Sequence, residues 1–389
     1  MTDIIDEILT RGVEETIDRK DFEAKLRSGS KLRLKMGIDP TSSNIHIGRA
    51  VALWKLRALQ ELGHQVVLII GDFTGLIGDT SDKESERPML SKEQVKENMH
   101  GYLQQIGKII DLDAAEVHMN SEWLEKLGFL EVAEMADEFS LHEFAARENI
   151  SKRLDSGNRV SLRELMYPLM QGYDSVAIKA DFEIGGTDQR FNLLAGRSLQ
   201  RRYNQPAQNV MMVKLVEGTD GRKMSSSWGN SININDLPED MYGKVMSILD
   251  ELTIPYFTMC TKVATEIIQK MEKQLESGEL HPRDAKAVLA KEIVMLYHGE
   301  DAAESAAIHF DKVHKNKETP DEMPEHALAG ETILKVLVEG GIAKSSSEAK
   351  RLVDQGGVKV DGKVVTEYDL PVAAGNVVQS GKRNFIRIN

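Results

Sequence analysis

One cysteine, Cys260, stands in a chain of 389 residues. A lone thiol excludes an internal disulfide and a four-cysteine zinc site, and it suits a reducing compartment. No apolar run reaches membrane length, and the stretch 1–15 has none of the marks of a secretory leader, so a cytoplasmic protein is expected. The zinc-helix pattern His-Glu-x-x-His is missing: His142-Glu143 is followed by Ala146 where the second histidine would stand, and no zinc is expected. The dinucleotide fingerprint Gly-x-Gly-x-x-Gly does not follow the first strand. Gly357–Lys363 matches the spacing of a phosphate loop, but no Ser or Thr follows and the segment reads as a hairpin, so it is set aside. A net charge of −13 argues against broad nonspecific nucleic-acid binding. The charge is uneven, however. From Glu331 onward nine Lys and Arg face seven Asp and Glu, so any polyanion contact falls on local patches.

What is present begins with Met36-Gly-Ile-Asp-Pro-Thr-Ser-Ser-Asn-Ile-His-Ile-Gly-Arg49. Before it, Lys31–Met36 alternates apolar and charged residues, as a strand does. After it, Ile47, Val51, Trp54, Ala58 and Leu62 recur at helical spacing. Gly63 ends that helix, and Gln65–Ile70 is a short apolar run. Strand, helix and buried strand make a right-handed crossover onto a parallel sheet. Ser42, Ser43 or Asn44 caps the helix, and His46 and Gly48 fall near its first amides. Such a helix start is either an ordinary cap or an anion site.

The 389 residues divide into three expected domains. Residues 1–236 read as a Rossmann-like parallel-sheet catalytic domain with a helical insertion. Its first 30 residues read as a helical lead-in, Lys83–Leu90 as a loop, and a short strand is expected near Val117. Residues 237–325 read as all-helical, closing in a linker at Thr319–Pro324. Residues 330–389 read as a small α+β unit: two helices, the second opened by a capping box at Ser345/Glu348, then a hairpin with an Asp361-Gly362 turn. On this second helix Lys344, Lys350 and Arg351 stand off the apolar face, available for phosphate.

Ser161 and Glu164 form a capping box that opens a helix to about Lys179. Tyr167, Gln171 and Asp174 share one face of it, either a solvent face or a binding stripe. In an open parallel sheet, ligands bind beyond the carboxyl ends of the strands. The segments there are Asp39–Arg49, Asp72–Asp79, Gly185–Gln189 and the loop Gly218–Ser227 with Lys223. A helix start, several carboxylates, close-approach glycines and a cation suit a nucleotide.

These residues carry a resemblance. His-Ile-Gly-Arg at His46–Arg49 and Lys-Met-Ser-Ser-Ser at Lys223–Ser227 resemble the two signatures of class I aminoacyl-tRNA synthetases, His-Ile-Gly-His and Lys-Met-Ser-Lys-Ser. Tyr167, Gln171, Asp174 and the stretch Gly185–Gln189 resemble the bacterial tyrosyl type. The tail is similar to the small RNA-binding module first described in a ribosomal protein. The resemblance implies an ATP-dependent activation of L-tyrosine and its transfer to tRNA(Tyr), with Mg2+ accompanying ATP, in a homodimer joined through helices between residues 105 and 180. It implies that Asp174 accepts the substrate phenol, that Tyr167, Gln171 and Asp79 hold its ammonium, and that Asp39 and Gln189 place the substrate. It implies ATP contacts at His46, Gly48, Gly186, Asp188, Lys223, Ser225 and Ser226, with His46, Lys223 and Arg49 catalytic. Three positions depart from the family pattern: Arg49 replaces a histidine, Ser226 replaces a lysine, and Lys35 stands where many members have a tyrosine. Lys35 either pairs with Asp174 or points away. A tryptophan-specific relative and a catalytically weakened RNA-binding paralogue remain as alternatives.

Overall fold

A computed structural model describes residues 3–40, 44–79, 91–314, 323–381 and 384–389. It divides into two compact units, Met1–Glu304 and Ser305–Asn389. The first is built on a six-stranded sheet: β1 (Val13–Ile17), β2 (Arg33–Ile38), β3 (Gln65–Ile70), β4 (Glu116–Met119), β5 (Phe182–Gly186) and β6 (Asn209–Val213). The order is β1-β6-β5-β2-β3-β4, with β1 antiparallel to β6 and the other neighbours parallel. The chain runs from β2 outward to β4, then returns to lay β5 on the other side of β2. The strand order therefore reverses between β2 and β5, the place where open α/β sheets bind ligands. Both faces of the sheet are covered, so β3 reads as an unbroken apolar run instead of an alternating one, with Val66–Ile70 all buried.

Two expectations for this unit need correction. The lead-in is not wholly helical: Val13–Ile17 forms β1 between the helices Ile4–Thr10 and Arg19–Arg27. Val-Glu-Glu-Thr-Ile is too polar and too short to announce a strand. It becomes one because β6 offers an open edge, against which Val13 meets Val213 and Ile17 meets Val210. The helix Ile47–Glu61 buries only part of the expected face: Ile47 and Val51 are buried, together with Ala50, Ala52, Leu53, Leu56 and Leu59, while Trp54 and Ala58 are half-buried and Leu62 is exposed. Trp54 points sideways, where its indole N–H donates to Tyr297 Oη at 3.2 Å. The helix is thus covered on two sides, by the sheet and by the later helix Pro282–His298.

The cap of that helix is His46, whose Nδ1 accepts from the Arg49 amide at 3.3 Å. Ser42 and Ser43 lie outside the described residues, as do the expected loop Lys83–Leu90 and most of the linker at Thr319–Pro324. The second capping box, at Ser161 and Glu164, is present in full and opens the helix Leu162–Ala177. After Leu237 the first unit continues in the helices Pro238–Met246, Thr253–Cys260, Thr265–Glu276 and Pro282–His298. Arg11 ties the first of the chain's helices to this region, donating to the carbonyls of Phe257, Thr258 and Thr261. No described helix is long and apolar enough to cross a membrane.

The second unit has the helices Ile333–Glu339 and Ser346–Asp354 on a five-stranded sheet of order β7-β11-β10-β8-β9. Its strands are β7 (Glu325–His326), β8 (Val358–Val360), β9 (Lys363–Val364), β10 (Val377–Ser380) and β11 (Asn384–Ile388). Ile333, Val336, Leu337, Val353, Val378 and Ile386 form its core. The hairpin β8–β9 turns on Asp361 (φ 48°) and Gly362 (φ 79°), the left-handed pair that an Asp-Gly turn supplies. Ser345 caps the second helix, but the Glu348 carboxylate accepts from the Lys344 amide at 2.8 Å instead of closing the reciprocal half of the box. Lys344, Lys350 and Arg351 are exposed.

Candidate active site

The carboxyl ends of β2, β3, β5 and β6, the mouth of helix Ile47–Glu61 and one face of helix Leu162–Ala177 enclose a cleft of about 500 Å³. Every residue to which the resemblance gave a substrate, ATP or catalytic role lines it: Asp39, His46, Gly48, Arg49, Asp79, Tyr167, Gln171, Asp174, Gly186, Asp188, Gln189, Lys223, Ser225 and Ser226. The stripe Tyr167–Gln171–Asp174 is therefore no solvent face. The side chain of Ser227 lies outside the described residues.

At the closed end Asp174 is buried. Its Oδ1 accepts from the Trp123 indole at 2.7 Å and its Oδ2 from the Asn120 amide at 3.4 Å. Burial lifts its carboxyl to about 7, against the opposing pull of Lys35 and of these two donors. Sequence reasoning missed both donors. Nothing in the sequence marks which acceptor the Trp123 indole N–H meets, and Asn120 carries one signal, its place just past the carboxyl end of β4. A raised carboxyl favours the folded state most below its unfolded value near 3.8, and that advantage is lost as pH rises through 7. Asp174→Asn is accordingly expected to be more stable than wild type at pH 8, by up to about 4 kcal/mol, with the gap closing toward pH 4. Denaturant unfolding at the two pH values checks this; equal gaps at both would refute it.

Asp39 links the floor of the cleft. Its Oδ1 accepts from Thr74 Oγ1 at 2.7 Å and its Oδ2 from Tyr167 Oη at 2.9 Å. Burial and the neighbouring Asp39 and Asp79 hold the Tyr167 phenol well above its usual range, so it remains a donor. Gly71 makes this packing possible: a Cβ there would lie 1.9 Å from Asp39 Oδ1 and 2.3 Å from Thr74 Oγ1. Gly71→Ala is expected to cost about 1–3 kcal/mol through forced displacement, read as a lower unfolding midpoint; an unchanged midpoint would show that the floor yields freely.

At the open end, Asp79 Oδ2 accepts from Gln189 Nε2 at 2.7 Å, and Lys223 Nζ donates to Asp188 Oδ2 at 2.7 Å. Lys223 sits in the loop after β6, in an isolated bridge with Glu217. Asn230 braces the loop: its Oδ1 accepts from the Ser225 amide at 2.9 Å, and its Nδ2 donates to Asp220 Oδ1 at 2.7 Å. Beyond it the chain returns to the helix mouth, where Ile47 N donates to Ile232 O at 2.9 Å and Ile234 N to Ile45 O at 3.0 Å. Burial first, then Arg49 and Lys223, push the His46 imidazole down to about 3. His46 is thus neutral near pH 7. With Nδ1 accepting from the Arg49 amide, the tautomer assigned from this bonding carries its proton on Nε2. Arg49, in place of the second histidine, donates to Tyr102 Oη at 3.0 Å and keeps a cation at the mouth. A neutral N–H donor, two cations and a helix start converge where a polyphosphate fits.

A family model described as tRNA synthetases class I (W and Y) matches residues 27–315, and one described as S4 domain matches 332–378. The chain belongs to the class I tRNA synthetases. The tyrosine–tRNA ligase of Carboxydothermus hydrogenoformans is 46% identical over 98% of this chain and 97% of its own length. That of Thermotoga maritima is 46% identical over 98% and 96%. Among solved structures, the tyrosyl-tRNA synthetase of Archaeoglobus fulgidus complexed with L-tyrosine superposes with a TM-score of 0.62 at 23% identity, covering 78% of this chain and 100% of that one. A truncated mitochondrial tyrosyl-tRNA synthetase of Aspergillus nidulans gives 0.64 at 21% identity, covering 80% and 94%. The synthetase fold is common to all of them.

Proposed function

We propose that this synthetase activates L-tyrosine with ATP to tyrosyl-adenylate and transfers the tyrosyl group to tRNA(Tyr). The observation that carries the tyrosine choice is a buried carboxylate, Asp174, at the closed end of the cleft, with Tyr167 and Gln171 on the same helix face. A carboxylate there suits the hydroxyl of a phenol, the donor that phenylalanine lacks. Near-full-length relatives named tyrosine–tRNA ligases support the same choice.

In this assignment Asp174 accepts the phenol, and Tyr167, Gln171 and Asp79 receive the ammonium. Asp39 and Gln189 help place the substrate and the adenylate's sugar or carboxylate end. Gly48, Gly186 and Asp188 meet the nucleotide, with Ser225 and Ser226 from the loop. A carboxylate oxygen of tyrosine attacks the α-phosphorus and pyrophosphate leaves, with His46, Arg49 and Lys223 stabilising the charge on the phosphates. ATP enters as its magnesium complex, a substrate. The helices of 237–325 and the small domain at 330–389 meet the tRNA. A cytoplasmic setting agrees with the lone buried thiol.

A homodimer is part of the proposal. Phe129 is 92% exposed, Leu162 79%, Leu130 74% and Leu141 71%, and apolar side chains of this size call for a cover. Sedimentation at micromolar concentration is expected to give the dimer mass. The decisive assay for the activity is exchange of pyrophosphate into ATP that depends on tyrosine. Exchange driven by tryptophan instead, or ATP that fails to bind while tRNA binds, would replace this function.

A further inference from the structure

Lys35 is the position where the sequence departs from its family without explaining itself. Its side chain is buried, and it lies on β2 directly opposite Glu183 on β5, at the seam where the strand order reverses. Its Nζ is 2.9 Å from Glu183 Oε1. It also donates to the Gln171 carbonyl at 2.7 Å and to Ser175 Oγ at 2.8 Å. An ammonium has three protons, and these three partners use them. So Lys35 neither pairs with Asp174 nor points away, and it has no donor left for a substrate hydroxyl. Glu183 is equally enclosed: Gln171 Nε2 donates to its Oε1 at 3.2 Å, and Ser175 Oγ and Gln208 Nε2 donate to its Oε2 at 3.1 and 2.5 Å.

We infer that Lys35 and Glu183 are positioning residues: a buried charge pair that fixes the aim and the ionisation of Asp174, and through it the preference for a phenol, without touching the substrate. This rests on the tyrosine assignment above. The aim follows from where the pair grips the helix. Gln171 and Ser175 flank Asp174 on successive turns, so one ammonium holds the turn that carries the carboxylate. The ionisation follows from charge. The charged and titratable groups acting on Asp174 are Lys35 from β2, Glu183 from β5 and Tyr167 two turns earlier on its own helix. Asn120 and Trp123 add hydrogen bonds from beyond β4. Lys35 favours the carboxylate and Glu183 opposes it. Only the carboxylate form accepts from a phenol with both oxygens; the protonated form presents a donor of its own.

A pair acting through charge makes opposite predictions for its two members, whereas a merely structural pair does not. The measurement is the pH profile of KM for tyrosine in the exchange assay, between pH 6 and 9. Lys35→Met is expected to move the acid limb up by about one pH unit, and Glu183→Gln to move it down by clearly less, Glu183 acting more weakly on Asp174. Removing one partner strands a buried charge, so the double variant Lys35→Met/Glu183→Gln, similar in volume and without either charge, serves if a single variant fails to fold. Its limb is expected above that of wild type and below that of Lys35→Met, because Lys35 acts on Asp174 more strongly than Glu183 does. Limbs that move together, or a double variant coinciding with wild type, would overturn the inference. A wild type without tyrosine-dependent exchange would overturn the functional assignment itself, and the inference with it.

Discussion

Lys223→Ala is expected to slow adenylate formation by about 10²–10³-fold, the usual loss for one donor aimed at transition-state charge, while tyrosine affinity stays nearly unchanged. The split follows from placement. Lys223 lies in a loop at the open end of the cleft, bonded to Asp188, while Asp174, proposed to take the phenol, is buried at the closed end. A cation on a loop that strengthens its hold as pyrophosphate departs raises the rate without raising ground-state affinity. Single-turnover formation of the adenylate gives the rate, and equilibrium titration with tyrosine gives the affinity. Equal losses in both would place Lys223 in substrate binding. Under the proposed assignment the contact with Asp188 has a corollary: ATP breaks this ion pair, one-third exposed on the lysine side, before its ribose reaches the same carboxylate.

Asp174→Ala is expected to cut the preference for tyrosine over phenylalanine by one to two orders of magnitude, about 1.5–3 kcal/mol. A site that buries a polar group for a hydroxyl rejects the analogue lacking it, because the group is left unpaired. Tyrosyl-tRNA synthetases are themselves the standard example of this effect, at about 10⁵-fold, so that figure is theirs and not a prediction for this chain. The single charge-assisted bond to Asp174 accounts for about 1.5–3 kcal/mol of it, a loss of roughly tenfold to 150-fold in relative kcat/KM. The variant also strands the Trp123 indole N–H, which loses its 2.7 Å partner. Part of any fall in tyrosine kcat/KM therefore reflects that orphaned donor, and the ratio between the two amino acids is the cleaner measure. A ratio that survives the substitution would move hydroxyl recognition to another residue.

The fold and the cleft were legible where the chain writes its chemistry in short local patterns. The helix start at His46–Arg49, the loop at Lys223, and the i, i+4, i+7 stripe of Tyr167, Gln171 and Asp174 all reach one cleft. The Asp-Gly hairpin and the capping box at Ser161 were equally readable, since each is decided by neighbours within a few residues. What could not be read depends on partners far along the chain. Strand β1 exists because of β6, nearly 200 residues later. The cap of the first crossover helix is a histidine, chosen by the bridge it makes with Asn233. The place of Lys35 needed Glu183, 148 positions away, and no local periodicity announces such a pair.

The two amide–carbonyl bonds between Ile45–Ile47 and Ile232–Ile234 fasten the end of the cationic loop to the same stretch of backbone that presents His46. Extra residues inserted within 217–229 are expected to leave that fastening in place, whereas residues inserted after Ile232 are expected to shift the helix mouth itself.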